Sequence, residues 1–361
     1  MKEHREPFEQ LIEGKLRAAF GESIMMTSLA ALAGDASSRR YFRAQIAGPN
    51  APSSAVVMKL PSGNALPLSS EELGVFKEPL QELPFLSMHR FLSGVGVRVP
   101  ILYGQWVEEG VLLLEDLGDM ALWDKVQGLP RSEVLTWYRK AIDELLVLQI
   151  RGSQESGRPC IAFQQRFDFR LYMWEFDHFL EYGMEKRPGA KVSQRSMSGM
   201  RAAFVDIANR LESVSPCLNH RDYHSWNLMI HEEAVVLIDF QDALLAPPQY
   251  DLASLLNDRT TDSVIQPDME ETLVRYYIDK RLEMEKQLID PDQFFEIYLL
   301  SAIQRDLKVV GRFYYLDIVK GKPGYKRFIP PTLRRLRRNL GRLPQMKTLI
   351  PLLAEHYEEM R

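Results

Sequence analysis

Cysteine is scarce in this chain: Cys160 and Cys217 are the two in 361 residues, and no Cys-x-x-Cys occurs. That excludes a disulfide-stapled scaffold and a zinc ribbon. Long apolar runs are missing too. Stretches such as 111–114 and 234–238 are far too short to span a bilayer. The opening Met-Lys-Glu-His-Arg-Glu-Pro has no apolar core of the secretory kind, so a cytoplasmic chain without a membrane span is expected. Neither sign of charge dominates. The 45 Lys+Arg against 49 Asp+Glu leave a net charge of −4, which argues against a dedicated nucleic-acid binder. No internal repeat or low-complexity tract is found. With 45% hydrophobic and 26% charged residues the composition is that of a folded, soluble protein. At this length one compact core is exceeded, and two domains are expected.

Residues 8–20 have helical spacing, with Leu11, Leu16 and Phe20 apolar. Residues 34–40 (Gly-Asp-Ala-Ser-Ser-Arg-Arg) read as a polar turn and 41–46 as a strand. Turn formers fill 48–54, and 55–60 reads as a second strand, making a hairpin that is half of a small sheet. A helical stretch over 69–92, short strands over 97–106 and 111–115, and a boundary at 116–119 follow. Beyond it helices dominate, at 133–149, 168–182, 196–211 and after 268, interrupted by a polar loop and an apolar run within 218–242. The fold class predicted is α+β, with a small β-rich lobe over 1–118 and a larger, mostly helical lobe over 119–361.

One stretch carries chemistry. Residues 220–227 read His-Arg-Asp-Tyr-His-Ser-Trp-Asn, and 238–241 read Ile-Asp-Phe-Gln. Asp222 and Asn227 lie five residues apart in a loop, and Asp239 comes twelve later at the end of an apolar run. Phosphoryl transfer needs a carboxylate that orients the acceptor hydroxyl and takes its proton. It also needs hard oxygen ligands for Mg²⁺ on the nucleotide phosphates. Asp222 suits the first role, Asn227 and Asp239 the second. Eleven residues separate Asp239 from Asp251 and no Ala-Pro-Glu follows, too short a segment to dock a peptide, so a small acceptor is expected. His220 and His224 do not read as a zinc pair, because no Glu adjoins the first and no third ligand is near.

His-Arg-Asp-x-x-x-x-Asn followed by Asp-Phe-x resembles the catalytic loop and metal motif of the protein-kinase-like superfamily. With 239–243 (Asp-Phe-Gln-Asp-Ala) and 250–256 (Tyr-Asp-Leu-Ala-Ser-Leu-Leu), the chain is more similar to the aminoglycoside phosphotransferase family. Residues 34–42 and 304–311 are similar to the bacterial anomeric sugar kinases within it, which phosphorylate N-acetylmuramate and N-acetylglucosamine at C1 in cell-wall recycling. The resemblance spans about residues 25–330. It implies a two-lobed protein-kinase-like fold with ATP and Mg²⁺ in the cleft. It makes Asp222 the catalytic base and Asn227 and Asp239 the magnesium ligands. Gly34, Ser37, Ser38 and Arg39 fall in the phosphate loop, and Lys59 touches the α- and β-phosphates. The partner of Lys59 stays open among Glu71, Glu72, Glu78 and Glu82. Glu115 and Leu117 fall in the adenine hinge, while His220 and Asp251 support the loop. Two departures stand out: Gln241 where protein kinases have glycine, and Gly34 as the single glycine of its loop.

Simpler readings stand beside these. Lys59 reads as an edge-strand lysine, Asp251 as a cap for a helix over 252–256, and Glu115 and Asp116 as surface acids. Arg305, Lys308 and Arg312, spaced by three and four, read as a solvated helix face. On the functional reading Arg305 faces the acceptor, and Glu175, beside Tyr172 and Trp174, binds sugar hydroxyls. Residues 318–354 hold ten Lys/Arg and no acid, leaving the rest of the chain at −14. Leu333, Leu336, Leu340 and Leu343 make part of this segment an amphipathic helix. It is read first as packed, with solvated arginines, and second as a surface for anionic substrates, a membrane or RNA. The alternatives to a sugar acceptor are an aminoglycoside, choline-like or homoserine-like one, or a nucleotide-binding module without catalysis. Retention of both Asp222 and Asp239 weighs against the last.

Overall fold

The computed structural model describes residues 6–32, 39–61 and 82–361. Gly34, Ser37 and Ser38, and the candidate Lys59 partners Glu71, Glu72 and Glu78, lie outside the described residues. The N-terminal lobe comprises α1 (Pro7–Phe20), β1 (Met25–Ala31), β2 (Arg40–Ala47), β3 (Ser54–Lys59), α2 (Pro84–Gly94), β4 (Leu102–Trp106) and β5 (Val111–Glu115). The strands form one antiparallel sheet in the order β1-β2-β3-β5-β4. The pleat sends alternate residues to opposite faces. Phe42, Ala44, Ile46, Ala55, Val57, Val111 and Leu113 pack with Ile12 and Leu16 of α1. Met58, Leu112 and Leu114 turn the other way, joining Met88 and Leu92 of α2 in the main core. Lys59 therefore ends a central strand, paired with Arg40 and Val111, and the edge-strand reading fails.

One strand was not anticipated from the sequence, and one expectation needs correction. β1 carries little periodicity because Met26 alone on it is buried, as befits an edge strand. The strand read over 97–106 is confined to Leu102–Trp106: Pro100 has no N–H to give a ladder, and the Val97 N–H instead closes the end of α2 on Leu92 O at 3.0 Å.

The larger lobe runs through α3 (Leu122–Lys125), α4 (Arg131–Leu146), α5 (Gly152–Gln154), α6 (Phe169–His178) and α7 (Gln194–Glu212). Next come β6 (Cys217–Asn219), β7 (Leu228–His231), β8 (Ala234–Leu237) and β9 (Leu244–Ala246). It closes with α8 (Gln249–Leu256), α9 (Pro267–Glu285), α10 (Pro291–Ile318), α11 (Ile329–Arg342) and α12 (Leu349–Ala354). α10 is the axis of this lobe. Asp290 caps it by accepting from the Asp292 and Gln293 amides, and residues on most of its circumference are buried. Gly311 lets it approach the turn after α6, where an added Cβ would lie 2.7 Å from Phe179 Cα. Leu333, Leu336, Leu340 and Leu343 are buried as the periodicity predicts, yet Arg335 is buried beside them. Among the described residues no helix is long and apolar enough to cross a membrane. The small antiparallel lobe on a mostly helical one is the two-lobed α+β architecture expected from the sequence.

Candidate active site

β6 and β9 pair at the base of the site, and the loop 220–227 leaves the end of β6. The β7–β8 hairpin then carries the chain out and back, in register from Leu228↔Leu237 to His231↔Ala234. Its closure brings Asp239 to Asn227, whose carbonyl accepts the Ile238 N–H at 3.1 Å. Asp239 stands two residues beyond β8 in a left-handed conformation, φ 62°, where the expectation had been the strand end itself. It is exposed, and its Oδ1 accepts from Gln241 Nε2 at 2.8 Å. Asn227 donates from Nδ2 to the Asp222 carbonyl at 3.0 Å, which leaves its amide oxygen as the acceptor end of the group. An amide oxygen and a carboxylate are the hard donors that suit Mg²⁺ with water and phosphate completing its shell, so this pair fits the ion.

Behind the loop, Asp251 is fully buried as the third residue of α8, which makes it no helix cap. Its carboxylate accepts the His220 N–H at 2.5 Å and the Arg221 N–H at 3.0 Å. The double grip holds Arg221 at φ 79°, a conformation costly for a long side chain. Burial pushes the Asp251 carboxyl up to about 7, with the two N–H bonds pulling the other way. The buried His220 ring pairs through Nε2 with Ile238 O at 2.9 Å, and burial lowers its pKa, so it is neutral and donates there.

The Asp222 side chain keeps 39% of its surface exposed. Burial opposes its charge, but Lys308, Arg305, His224 and Arg221 outweigh that and hold its pKa well below the usual carboxylate range. Arg305 Nη1 is 3.6 Å from Asp222 Oδ1. Arg305 and Lys308 are thus not a solvated face. Lys308 Nζ is 3.0 Å from Glu175, and burial of the ammonium is outweighed by that carboxylate, which raises its pKa. Glu175 is 1% exposed and also engages Gln304 Nε2 at 2.6 Å and Arg221 Nη2 at 3.4 Å. Its carboxylate is taken up by the protein, which corrects the expectation of a sugar contact. Tyr172 is fully buried, while Trp174 is 40% exposed and stacked on His178.

On the other wall, Tyr41 of β2 is held high in pKa chiefly by burial, with Arg39 opposing and the Asp239 charge adding. Lys59 Nζ lies 4.1 Å over the Phe8 ring. Glu82, one candidate partner for Lys59, pairs with Arg90 at 2.5 Å. Glu115 Oε2 accepts the Ile101 N–H at 3.1 Å, and Leu117 is buried. Asp116 is no free surface acid: Arg43 grips it at 2.7 and 3.0 Å and reaches Asp119 at 2.8 and 3.1 Å. Phe240 stacks on Phe85 of α2 at 5.0 Å, tying the segment after Asp239 to the small lobe. Sequence reasoning gave Tyr41, Arg221 and Gln304 no role at the site. Arg221 and Gln304 sit inside the quoted motifs, but nothing in their spacing announces that Glu175 joins them.

The chain is similar to several known proteins. The family model described as "Phosphotransferase enzyme family" matches residues 28–285. The chain is 29% identical to an N-acetylmuramate/N-acetylglucosamine kinase of Pseudomonas putida, over 93% of this chain and 90% of that protein. It is 30% identical to the kinase of the same name in Pseudomonas aeruginosa, over 89% of this chain and 86% of that one. Among solved structures, a choline kinase from Cryptosporidium parvum aligns with a TM-score of 0.60 at 11% identity, covering 94% of this chain and 98% of that one. That last likeness is one of fold alone.

Proposed function

The chain belongs to the phosphotransferase enzyme family, and we propose that within it the chain transfers the γ-phosphoryl group of ATP to the anomeric hydroxyl of N-acetylmuramate or N-acetylglucosamine. The observation that carries the reaction type is the half-open Asp222 carboxylate with the Asn227 and Asp239 oxygens gathered beside it by one hairpin. The acceptor reading rests on the two Pseudomonas kinases matched along about nine-tenths of the chain. The charge of the site supports it. Arg305, Lys308 and Arg221 around Asp222 disfavour a polycationic aminoglycoside or a quaternary amine.

In this reading Asp222 accepts a hydrogen bond from the acceptor hydroxyl and aims it at the phosphorus. Because its neighbours keep the carboxylate ionised, it orients first and takes the proton late, as a loose phosphoryl-transfer transition state allows. Asn227 and Asp239 would hold Mg²⁺, which neutralises the charge on the phosphate oxygens when bound. Lys59 and Arg39 grip the phosphates from the small lobe, and the segment from Glu115 to Leu117 receives the adenine. Asp251 and His220 keep the loop in its strained shape.

The test is ATP consumption against a panel of amino sugars, aminoglycosides and amino alcohols, with Asp222→Asn as control. Turnover is expected with N-acetylated amino sugars, lowered about 10³-fold or more in the variant. Stimulation by aminoglycosides or amino alcohols and not by sugars would overturn the acceptor reading. No stimulation by any acceptor above the variant would overturn catalysis.

A further inference from the structure

Arg305 lends its charge to keeping Asp222 ionised, yet the mechanism leaves one of its buried donors unmet. It lies on α10 one turn before Lys308 and is 4% exposed. Its Nη1 is buried and makes no hydrogen bond. The facing oxygen, Asp222 Oδ1, is 3.6 Å away, beyond hydrogen-bond reach. Its neighbours are placed differently. Lys308 and Arg221 both reach Glu175, at 3.0 and 3.4 Å, and Gln304 takes the other oxygen of that carboxylate at 2.6 Å. Glu175 is thus engaged by Lys308, Arg221 and Gln304, and not by Arg305. The Tyr250 hydroxyl, in the same electrostatic neighbourhood, is also buried without a hydrogen-bond partner.

Charge bookkeeping points the same way. Of the carboxylates that face Arg305, Asp222 is committed to the acceptor hydroxyl, Asp251 is held by the His220 and Arg221 amides, and Asp258 by the Ser225 hydroxyl and the Arg259 amide. A buried guanidinium donor left unmet is unfavourable, and its planar fork matches the two oxygens of a carboxylate. We propose that Arg305 is a specificity-determining residue: it reads a carboxylate borne on a short arm of the sugar acceptor, so the site takes the acidic amino sugar in preference to its neutral counterpart. This rests on the amino-sugar reading above. The arm must be short, because the hydroxyl on Asp222 and the carboxylate on Arg305 occupy neighbouring positions. The transferring phosphoryl group presents the same oxyanion chemistry, and the experiment separates the two.

Steady-state kinetics with N-acetylmuramate and N-acetylglucosamine are compared for the wild type, Arg305→Gln and Arg305→Lys. The wild type is expected to favour the acidic sugar in kcat/KM. Arg305→Gln should lose about 30-fold or more on N-acetylmuramate, chiefly through KM, and about 10-fold less than that on N-acetylglucosamine, where only its charge beside Asp222 is lost. Arg305→Lys should fall between, because it keeps the charge and loses the fork. ATP affinity and melting temperature close to those of the wild type show that the variants are folded; should Arg305→Gln fail this, the two sugars are compared in Arg305→Lys alone. An equal loss on both sugars, as a contact to the phosphoryl group or to Asp222 alone would give, overturns the proposal, and so does no loss on either. A wild type inactive on both sugars removes the amino-sugar reading itself and this inference with it. A wild type active on both, with no discrimination by the variants, removes this inference alone.

Discussion

Replacing Arg335 by methionine removes the cation at the centre of an ion cluster whose Arg335–Asp306 pair is fully buried. Its Nε and Nη2 lie 3.1 and 2.7 Å from Asp306 Oδ1, and its Nη1 lies 2.7 Å from Asp262 Oδ2 and 2.8 Å from the Asp258 carbonyl. One guanidinium thereby joins α11 to α10 and to the segment that follows α8. Both Arg335 and Asp306 have side chains 0% exposed. Methionine keeps most of the stem's packing, so the loss is that of breaking a buried pair from one side, about 3–5 kcal/mol. At about 2 °C per kcal/mol for a chain of this size, the melting temperature should fall by roughly 6–10 °C at pH 8.

The pH dependence supplies a second signature. Burial raises the Asp306 carboxyl to about 6, with Arg335 pulling it down. A raised carboxyl pKa means that the folded chain keeps a proton the unfolded chain releases. That stabilisation is full below the unfolded value of about 4 and is lost as pH rises through the folded value. Without Arg335 the folded value climbs further, so the variant goes on losing stability above pH 6 where the wild type has levelled off. Thermal unfolding followed by near-ultraviolet circular dichroism at pH 5.5 and pH 8 should show a deficit that widens with pH. Adding Asp306→Leu should recover part of it, since replacing both partners removes the stranded charge. A variant melting within about 2 °C of wild type at pH 8, or a deficit equal at both pH values, would refute the reasoning.

Gly311→Ala places a Cβ 2.7 Å from Phe179 Cα and 3.0 Å from its backbone nitrogen, so α10 must shift. A loss of about 1–3 kcal/mol, read as a lower melting temperature, is expected despite the better helix propensity of alanine. Gly324→Ala, with open space around it, should leave melting unchanged. Lys59→Ala should keep the fold, because its pairing with Arg40 and Val111 is backbone, and lower kcat/KM for ATP by about 10²-fold in initial-rate assays. Unchanged ATP kinetics would detach Lys59 from the phosphates.

The parts of the molecule legible in sequence are those whose partners are near in the chain. Asp222, Asn227 and Asp239 are gathered by a single loop and hairpin, so their spacing already describes a site. The leucine stripe of α11 is legible for the same reason, as one helix face repeated at three and four. Glu175 is different, because its donors come from the catalytic loop and from α10, and no spacing within α6 announces them. The same holds for Lys308, whose place beside Arg305 implies a shared face but not what covers it.

Arg335 shows where composition misleads. It stands among Arg334, Arg337 and Arg338, and four arginines in five residues read as one basic surface. Yet Thr332, Arg335 and Asn339 form a second stripe at spacings of three and four beside the leucines, and all three are buried. Thr332 bonds back to Phe328 O, Asn339 reaches Asn257 at 3.2 Å, and Arg335 meets Asp306. The buried face of α11 is therefore wider than its apolar stripe, because α10 and the end of α8 bring polar partners to its flank. A helix read alone shows which residues share a side. Whether an arginine on that side is solvated or central depends on an acid carried by another helix, and here Asp306 is that acid.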